Sequence, residues 1–249
     1  MKNKNIILTG SEGLLGKSYR KFAEKKGHKI FCIDIKKVNR KNYFICDITN
    51  ENEVKSTIDK INSKNKIDVL INNAAFNPKA ENKLKTFKFS DYNYESWKKN
   101  IEVDLYGSFL VSKHTLKYFE KRNIGNIINV SSIYGLVGPD NKIYSDKKKV
   151  FHGFKPVEYS VAKAGIIGFT KGLAAFYKGT NIRVNCIVFG GVNNNQNKKF
   201  IKKYSEKTIL NRMSYVGEYN NYLEFLSSDL NSYTTGSSFI IDGGATSIF

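Results

Sequence analysis

The sequence predicts an α/β fold: a doubly wound parallel sheet of about seven strands with helices on both faces. Two observations carry that expectation. Short β-branched runs alternate with longer stretches of helical period along the whole chain, which is the pattern of βαβ units. The first run passes directly into Thr9-Gly10-Ser11-Glu12-Gly13-Leu14-Leu15-Gly16, a glycine-rich turn that opens an amphipathic helix. No internal repeat or flexible linker breaks the alternation, so residues 1–249 are expected to form one domain.

Taken in order, strands are expected at residues 5–9, 29–34, 43–46, 67–71, 126–130, 183–187 and 239–241. Long helices are expected at 13–26, 52–62, 94–121 and 157–177. Two polar stretches interrupt this scheme: 140–155, which carries Lys147, Lys148, Lys149 and His152, and 192–214, rich in Asn and Lys. Both follow strand ends, where the ligand crevice of an open α/β sheet lies, so both are placed to cover it.

Composition narrows the function class. Hydrophobic residues make up 41% and charged residues 25%, the balance of a folded globular chain. No apolar run approaches the ~20 residues of a membrane helix, and the apolar start is too short for a secretory signal. The expected location is the cytoplasm, without a membrane partner. Cys32, Cys46 and Cys186 are odd in number and scattered, which suits buried thiols in a reducing compartment. They form no metal-binding spacing with His28, His114 and His152, and no metal site is expected. The net charge of +19 comes from lysines spread over the whole length, with no nucleic-acid module in sight. An anionic substrate or cofactor fits that charge; specific nucleic-acid binding is not expected.

The glycine turn lets backbone approach a pyrophosphate, with the N–H groups of the following helix aimed at the anion. Residues 1–125 therefore read as the dinucleotide-binding half and 126–249 as the catalytic and substrate-binding half. Asp34 ends the second strand about 20 residues further on, where an acid accepts hydrogen bonds from a ribose and repels a 2′-phosphate. Glu12 adds to the repulsion, which favours NAD(H). Lys36 and Lys37 lie beside Asp34, so NADP(H) is not excluded. In the second half, Tyr159 and Lys163 stand four residues apart on one face of an apolar helix. A neighbouring ammonium draws a phenol toward its ionised form and so toward acid/base work.

Asp47-Ile48 after the third strand, Asn72-Asn73-Ala74-Ala75 after the fourth, and Asn129-Val130-Ser131-Ser132 at the end of the fifth complete an ordered set of motifs. With the glycine turn and Tyr159-x-x-x-Lys163, the chain resembles the short-chain dehydrogenase/reductase family over essentially its whole length. The resemblance implies a single Rossmann-type domain, a seven-stranded parallel sheet, and a homodimer or homotetramer packed through the long helices. It also implies roles. Thr9 through Gly16, with Gly10, Gly13 and Gly16 at the pyrophosphate, would bind cofactor; Asp47 and Ile48 would flank the adenine; Asn73, Ala74, Ala75, Gly190 and Val192 would line the nucleotide cleft. Tyr159 would exchange a proton with the substrate oxygen, Lys163 would favour its phenolate and bind the nicotinamide ribose, and Ser132, rather than Ser131, would hydrogen-bond the reacting oxygen.

Four departures from the family pattern stand out. Asp104 occupies the position of a catalytic Asn whose carbonyl holds a relay water, which places a carboxylate near Lys163. The glycine spacing resembles the sugar-nucleotide-modifying branch. Phe189 stands where a Pro usually precedes Gly190. The segment between Ser132 and Tyr159 is about twice the length found in the compact branch, adding Tyr144 and the three lysines to the substrate side. The run from Ser132 through Tyr134 to Asp140, with Tyr144, resembles oxidoreductases of bacterial flagellin-modification and nonulosonic-acid gene clusters. The expected substrate is therefore a small anionic or amino sugar, with Tyr134, Tyr144, Lys147, Lys148 and Lys149 as candidate contacts. The alternatives are a 3-oxoacyl thioester reductase served by an acyl carrier protein, and a catalytically weak nucleotide-binding relative.

Overall fold

A computed structural model describes residues 3–77, 89–92, 94–144 and 154–248 of the chain. The seven strands are β1 (Asn5–Thr9), β2 (Lys29–Asp34), β3 (Tyr43–Ile45), β4 (Val69–Asn72), β5 (Ile124–Ser132), β6 (Asn181–Phe189) and β7 (Ser238–Ile241). They form one sheet in the order β3-β2-β1-β4-β5-β6-β7, and every pairing is parallel. Sheets of this kind are covered on both faces, which is why β1, β2, β4 and β6 read as nearly continuous apolar runs.

Period-two alternation divides the strand side chains between two cores. Ile7, Phe31, Leu70, Ile127 and Val184 face one layer, with α2 (Glu51–Asn62) contributing Val54 and Ile58, and α4 (Gly107–Glu120) contributing Leu110 and Phe119. Ile6, Leu8, Cys32, Ile71 and Ile128 face the other, where Tyr19 and Ala23 of α1 (Leu14–Lys25) meet Leu223 and Leu226 of α7 (Asn220–Ser227). The strand order reverses between β1 and β4. The carboxyl ends on either side of that reversal, Thr9 and Asn72, open the crevice that holds the site.

The expected helix at 94–121 is three pieces. α3 (Tyr94–Ile101) passes through a π turn, Glu102–Tyr106, into α4. Gly107 closes the turn with a bond from its N–H to Glu102 O, five residues back. Gly107 also lies hard against Ile48, where a Cβ would sit 2.6 Å from the Ile48 Cδ1. Such insertions redirect side chains and cluster at functional sites, and here the redirected residue is Asp104. The segment at 192–214 holds a helix, α6 (Lys198–Ser205), capped by Asn197, whose side chain accepts from the Lys199 N–H at 2.8 Å. Strands β5 and β6 each run longer than the sequence suggests, pairing through nine consecutive registers. Their flanking polar residues are absorbed into the ladder.

Candidate active site

A cleft of 1500 Å³ runs across the carboxyl edge of the sheet, lined at one end by Gly10, Gly13, Leu14, Leu15 and Asp34 and at the other by Tyr134, Tyr144, Lys155, Phe200 and Tyr204. That volume exceeds the ~300–1,000 Å³ of an ordinary small-ligand pocket and leaves room for two ligands side by side.

At the first end, Gly10 takes φ +63° and lies so close to β4 that a Cβ would stand 2.6 Å from the Ala74 Cα. Gly16 packs beneath it, where a Cβ would meet the Gly10 carbonyl oxygen at 2.2 Å. Gly13 caps α1 and has no side chain to close its first turn. The opening N–H groups of α1 therefore face a backbone cradle that any side chain would fill, and the site fits a dinucleotide pyrophosphate. Thr9 Oγ1 accepts from the backbone N–H groups of Asn73 and Ala74, each at 3.0 Å, and Asn73 Nδ2 donates to the carbonyls of Thr9 and Gly10. Thr9, Ser11, Glu12 and Gly16 thus shape the cradle from behind, whereas Asn73, Ala74 and Ala75 line the cleft.

Asp34 is buried at the end of β2 and lines the cleft. Its carboxylate accepts from the backbone N–H of Glu12 at 2.8 Å and of Lys36 at 3.1 Å, which fixes its direction. Glu12 is held by Arg40 at 2.6 Å and lies 3.6 Å from Lys17. Burial raises its carboxyl, yet the Arg40 hydrogen bond and the surrounding guanidinium charges bring it below the usual carboxylate range. Asp47, exposed, and Ile48, buried, line the same end, and Asp47 accepts from the Thr49 N–H and hydroxyl. Gly190 and Val192 border the cleft from the end of β6. Phe189, in the position the resemblance gives to Pro, packs on Tyr219 with ring centroids 4.0 Å apart. The loop beyond it is tied by Asn193 and Ser214 to a parallel bridge between Val192 and Ser214.

At the chemical centre, Ser132 ends β5 and Tyr159 and Lys163 stand on α5 (Val157–Phe176); all three line the cleft. Ser132 Oγ accepts from the Tyr134 N–H at 3.3 Å, which leaves its own proton to donate into the cleft. Ser131 is committed elsewhere: its hydroxyl donates to the Lys163 carbonyl at 2.7 Å in the packed interior. The two serine hydroxyls thus have different partners. Gly135 is required because a Cβ there would lie 2.7 Å from the Lys163 carbonyl.

Asp104 is fully buried under Lys163, its Oδ2 2.9 Å from the ammonium, and its Oδ1 accepts from the Phe76 N–H at 2.6 Å. Its backbone carbonyl accepts from the Ser108 hydroxyl at 2.7 Å. Burial pulls Lys163 down, but the charges of Asp104 and Tyr159 outweigh it and hold the ammonium above its ordinary value. Asn100, one turn earlier, donates to Phe76 O, so the two residues hold the backbone N–H and C=O of Phe76. Behind β5, Asn129 accepts from Asn72 at 2.8 Å and donates to Thr170 at 2.9 Å, a buried polar brace between β4, β5 and α5.

One residue at this centre is absent from the sequence reading. Lys155 is buried, lines the cleft, donates to Asn77 Oδ1, and sets its ammonium 3.7 Å from the centroid of the Tyr159 ring. The only available signal was its place four residues before Tyr159, which predicts nothing once Pro156 ends the helical register. On the substrate side, the hydroxyls of Tyr134 and Tyr144 meet at 3.1 Å. Burial raises both, Tyr144 to about 12. Lys147, Lys148, Lys149 and His152 lie outside the described residues.

Comparison with known proteins agrees with this geometry. The family described as enoyl-(acyl carrier protein) reductase matches residues 23–246. The post-translational flagellin modification protein A of Campylobacter coli is 31% identical, the match covering 98% of each chain. The chain belongs to the short-chain dehydrogenase/reductase family. It is accordingly an oxidoreductase acting between CH–OH and C=O groups, on a Rossmann-type sheet that binds a nicotinamide dinucleotide. Another dehydrogenase/reductase of similar sequence, a 3-oxoacyl-(acyl-carrier-protein) reductase from Thermotoga maritima, is 29% identical over 98% of each chain. Among solved structures, a short-chain dehydrogenase from Leptospira borgpetersenii with bound NAD+ is 33% identical and superposes with a TM-score of 0.87, covering 99% of this chain and 94% of the other. Among the described residues, no helix is long and apolar enough to cross a membrane.

Proposed function

We propose that this short-chain dehydrogenase/reductase uses NAD(H) to interconvert a secondary alcohol and a ketone on a sugar or sugar-derived substrate destined for surface glycan. The observation that carries the reading is the meeting of Ser132, Tyr159 and Lys163 in a cleft whose further end is lined by hydroxyls and amides, those of Tyr134, Tyr144, Asn194 and Gln196. Such a wall suits a polyhydroxylated ligand. The flagellin modification protein among its relatives supports the same class.

The nicotinamide cofactor supplies or accepts the hydride. Ser132 donates a hydrogen bond to the substrate oxygen and fixes it beside Tyr159. Tyr159 gives that oxygen a proton when a ketone is reduced, and takes the proton back when an alcohol is oxidised. Lys163, held by Asp104 and the Val130 carbonyl, supplies positive charge behind the phenol and would hold the nicotinamide ribose of a bound cofactor. The directed carboxylate of Asp34 supports NAD(H): it is placed to accept from ribose hydroxyls and to repel a 2′-phosphate. Arg40, the nearby guanidinium, is engaged by Glu12.

The 3-oxoacyl thioester reductase is the second reading, supported by the Thermotoga relative. One screen separates them. Turnover of free and nucleotide-linked sugars with NAD+ and NADH is followed at the nicotinamide absorbance, alongside a 3-oxoacyl thioester with NADPH. Sugar turnover is expected; turnover of the thioester alone overturns the proposal.

We also propose a homodimer or homotetramer packed through α4 and α5. Tyr106, Phe109, Val157, Val161 and Phe176 are exposed on these helices and their ends, more apolar surface than a free helix face carries without a partner.

A further inference from the structure

Among the described residues, two buried carboxyl groups and two buried amines lie around Tyr159: Asp104 in the π turn, and Glu158, Lys155 and Lys163 on or just before α5. Lys163 lies 5.7 Å from the phenol ring centroid and Lys155 only 3.7 Å. Asp104 pairs with Lys163 at 2.9 Å, which turns a lone ammonium into a near-neutral dipole as seen from the phenol. Glu158 adds a second buried carboxylate, held by the Tyr92 and Ser96 hydroxyls. Among the described residues, Lys155 is the second buried ammonium beside these two carboxyl groups.

We infer that Lys155 is a positioning residue for the chemistry of Tyr159: a second ammonium, seated on the phenol ring, that offsets the charge Asp104 takes from Lys163. Asp104 and Lys155 are then parts of one device, linked physically by one backbone segment. Asp104 and Asn100 clamp Phe76, and the next residue, Asn77, accepts from Lys155. A cation against the ring stabilises the negative charge that the phenol oxygen carries when the proton has left it. Among the described residues, the other titratable groups near the pair are Tyr92, Tyr134, Tyr144 and Cys186. Burial, then Lys163, pushes Lys155 down to about 8, with Asp104 and Glu158 opposing. It is therefore charged at neutral pH and loses its charge as pH rises through that value, unless the neighbouring phenolate holds it.

The inference rests on Tyr159 as the acid/base but on no particular substrate, and the test needs no turnover. Phenolate absorbance is titrated from roughly pH 6 to 11 in the intact protein, each variant paired with its Tyr159→Phe counterpart so that the difference isolates one phenol. Lys155→Met should move that difference upward by about one pH unit, tenfold in the ionisation constant. Lys155→Arg should leave it near the parent position. Adding Asp104→Asn to Lys155→Met should bring it back. Near-ultraviolet circular dichroism checks that each variant keeps its packing, and Lys155→Gln replaces Lys155→Met if the latter fails to fold. An unmoved difference in the neutral variant, Arg behaving as Met does, or no recovery with Asp104→Asn would each overturn the inference.

Discussion

On the proposed function, the chemistry turns on Tyr159 and the choice of cofactor on Asp34. Tyr159→Phe removes one oxygen from a residue held by an otherwise intact helix. Turnover should fall by ~10²–10⁴-fold, the usual share of a general acid/base, while NADH binding measured by fluorescence stays near the parent value. Loss of binding together with turnover would reassign the residue to the fold. Asp34 accepts two backbone N–H groups and still presents its carboxylate to the cleft. Asp34→Ala should weaken NAD(H) by the ~1.5–3 kcal/mol of charge-assisted hydrogen bonds, roughly 10–100-fold in KM, and shrink any preference over NADP(H). An unchanged ratio of KM values for the two nucleotides would remove Asp34 from the assignment. Both residues were legible in the sequence because each sits at a fixed offset from a chain feature, a helix turn or a strand end. Lys155 was not, because its contact with Tyr159 depends on a bend at Pro156 that no periodicity reports.

Among the elements, the π turn at Glu102–Tyr106 shapes the site most. The apolar pattern of residues 94–121 predicts one helix, since a single inserted residue changes the register without changing the composition. The insertion carries Asp104 beneath Lys163 and pairs two groups that exposure would leave solvated. Removing one partner of a buried pair leaves the other uncompensated, at a cost of ~3–5 kcal/mol. Asp104→Leu should therefore lower the unfolding free energy by about that amount in a urea titration, whereas Asp104→Asn should lose less and keep a substantial share of the rate. Equal losses for the two would show that packing, not charge, sets the position. The glycine turn behaves oppositely. Its conformation was readable because only glycine accepts φ +63° at Gly10 with Ala74 so close. Gly16→Ala would place a methyl 2.2 Å from the Gly10 carbonyl. NADH affinity should drop at least ~10-fold, about 1.4 kcal/mol of the strain expected from overpacking.

For the molecule as a whole, one unbroken seven-stranded sheet joins the two halves, and strand order places the cleft. The exposed aromatic groups on and beside α4 and α5 bear on the proposed assembly. Tyr106 and Phe109 stack at 6.1 Å, and Phe109 meets Phe169 edge-on at 6.5 Å, a continuous apolar face across the two helices. Phe109→Glu should shift sedimentation toward smaller species at micromolar concentration. An unchanged mass would move the interface elsewhere. Both 140–155 and 192–214 were read as covering the crevice. The second does so through α6, which brings Phe200 and Lys203 to the cleft wall.

The alternation of strands and helices, the glycine turn, and the placing of Asp34, Ser132, Tyr159 and Lys163 were settled by the linear chain, because each rests on periodicity or on the sterics of neighbouring residues. The pairing of Asp104 with Lys163, the commitment of Ser131 to the Lys163 carbonyl, and the seat of Lys155 on Tyr159 came only with the folded chain. Each joins residues far apart in sequence, or on opposite sides of a break in register, and burial gives their charges a strength that composition cannot reveal.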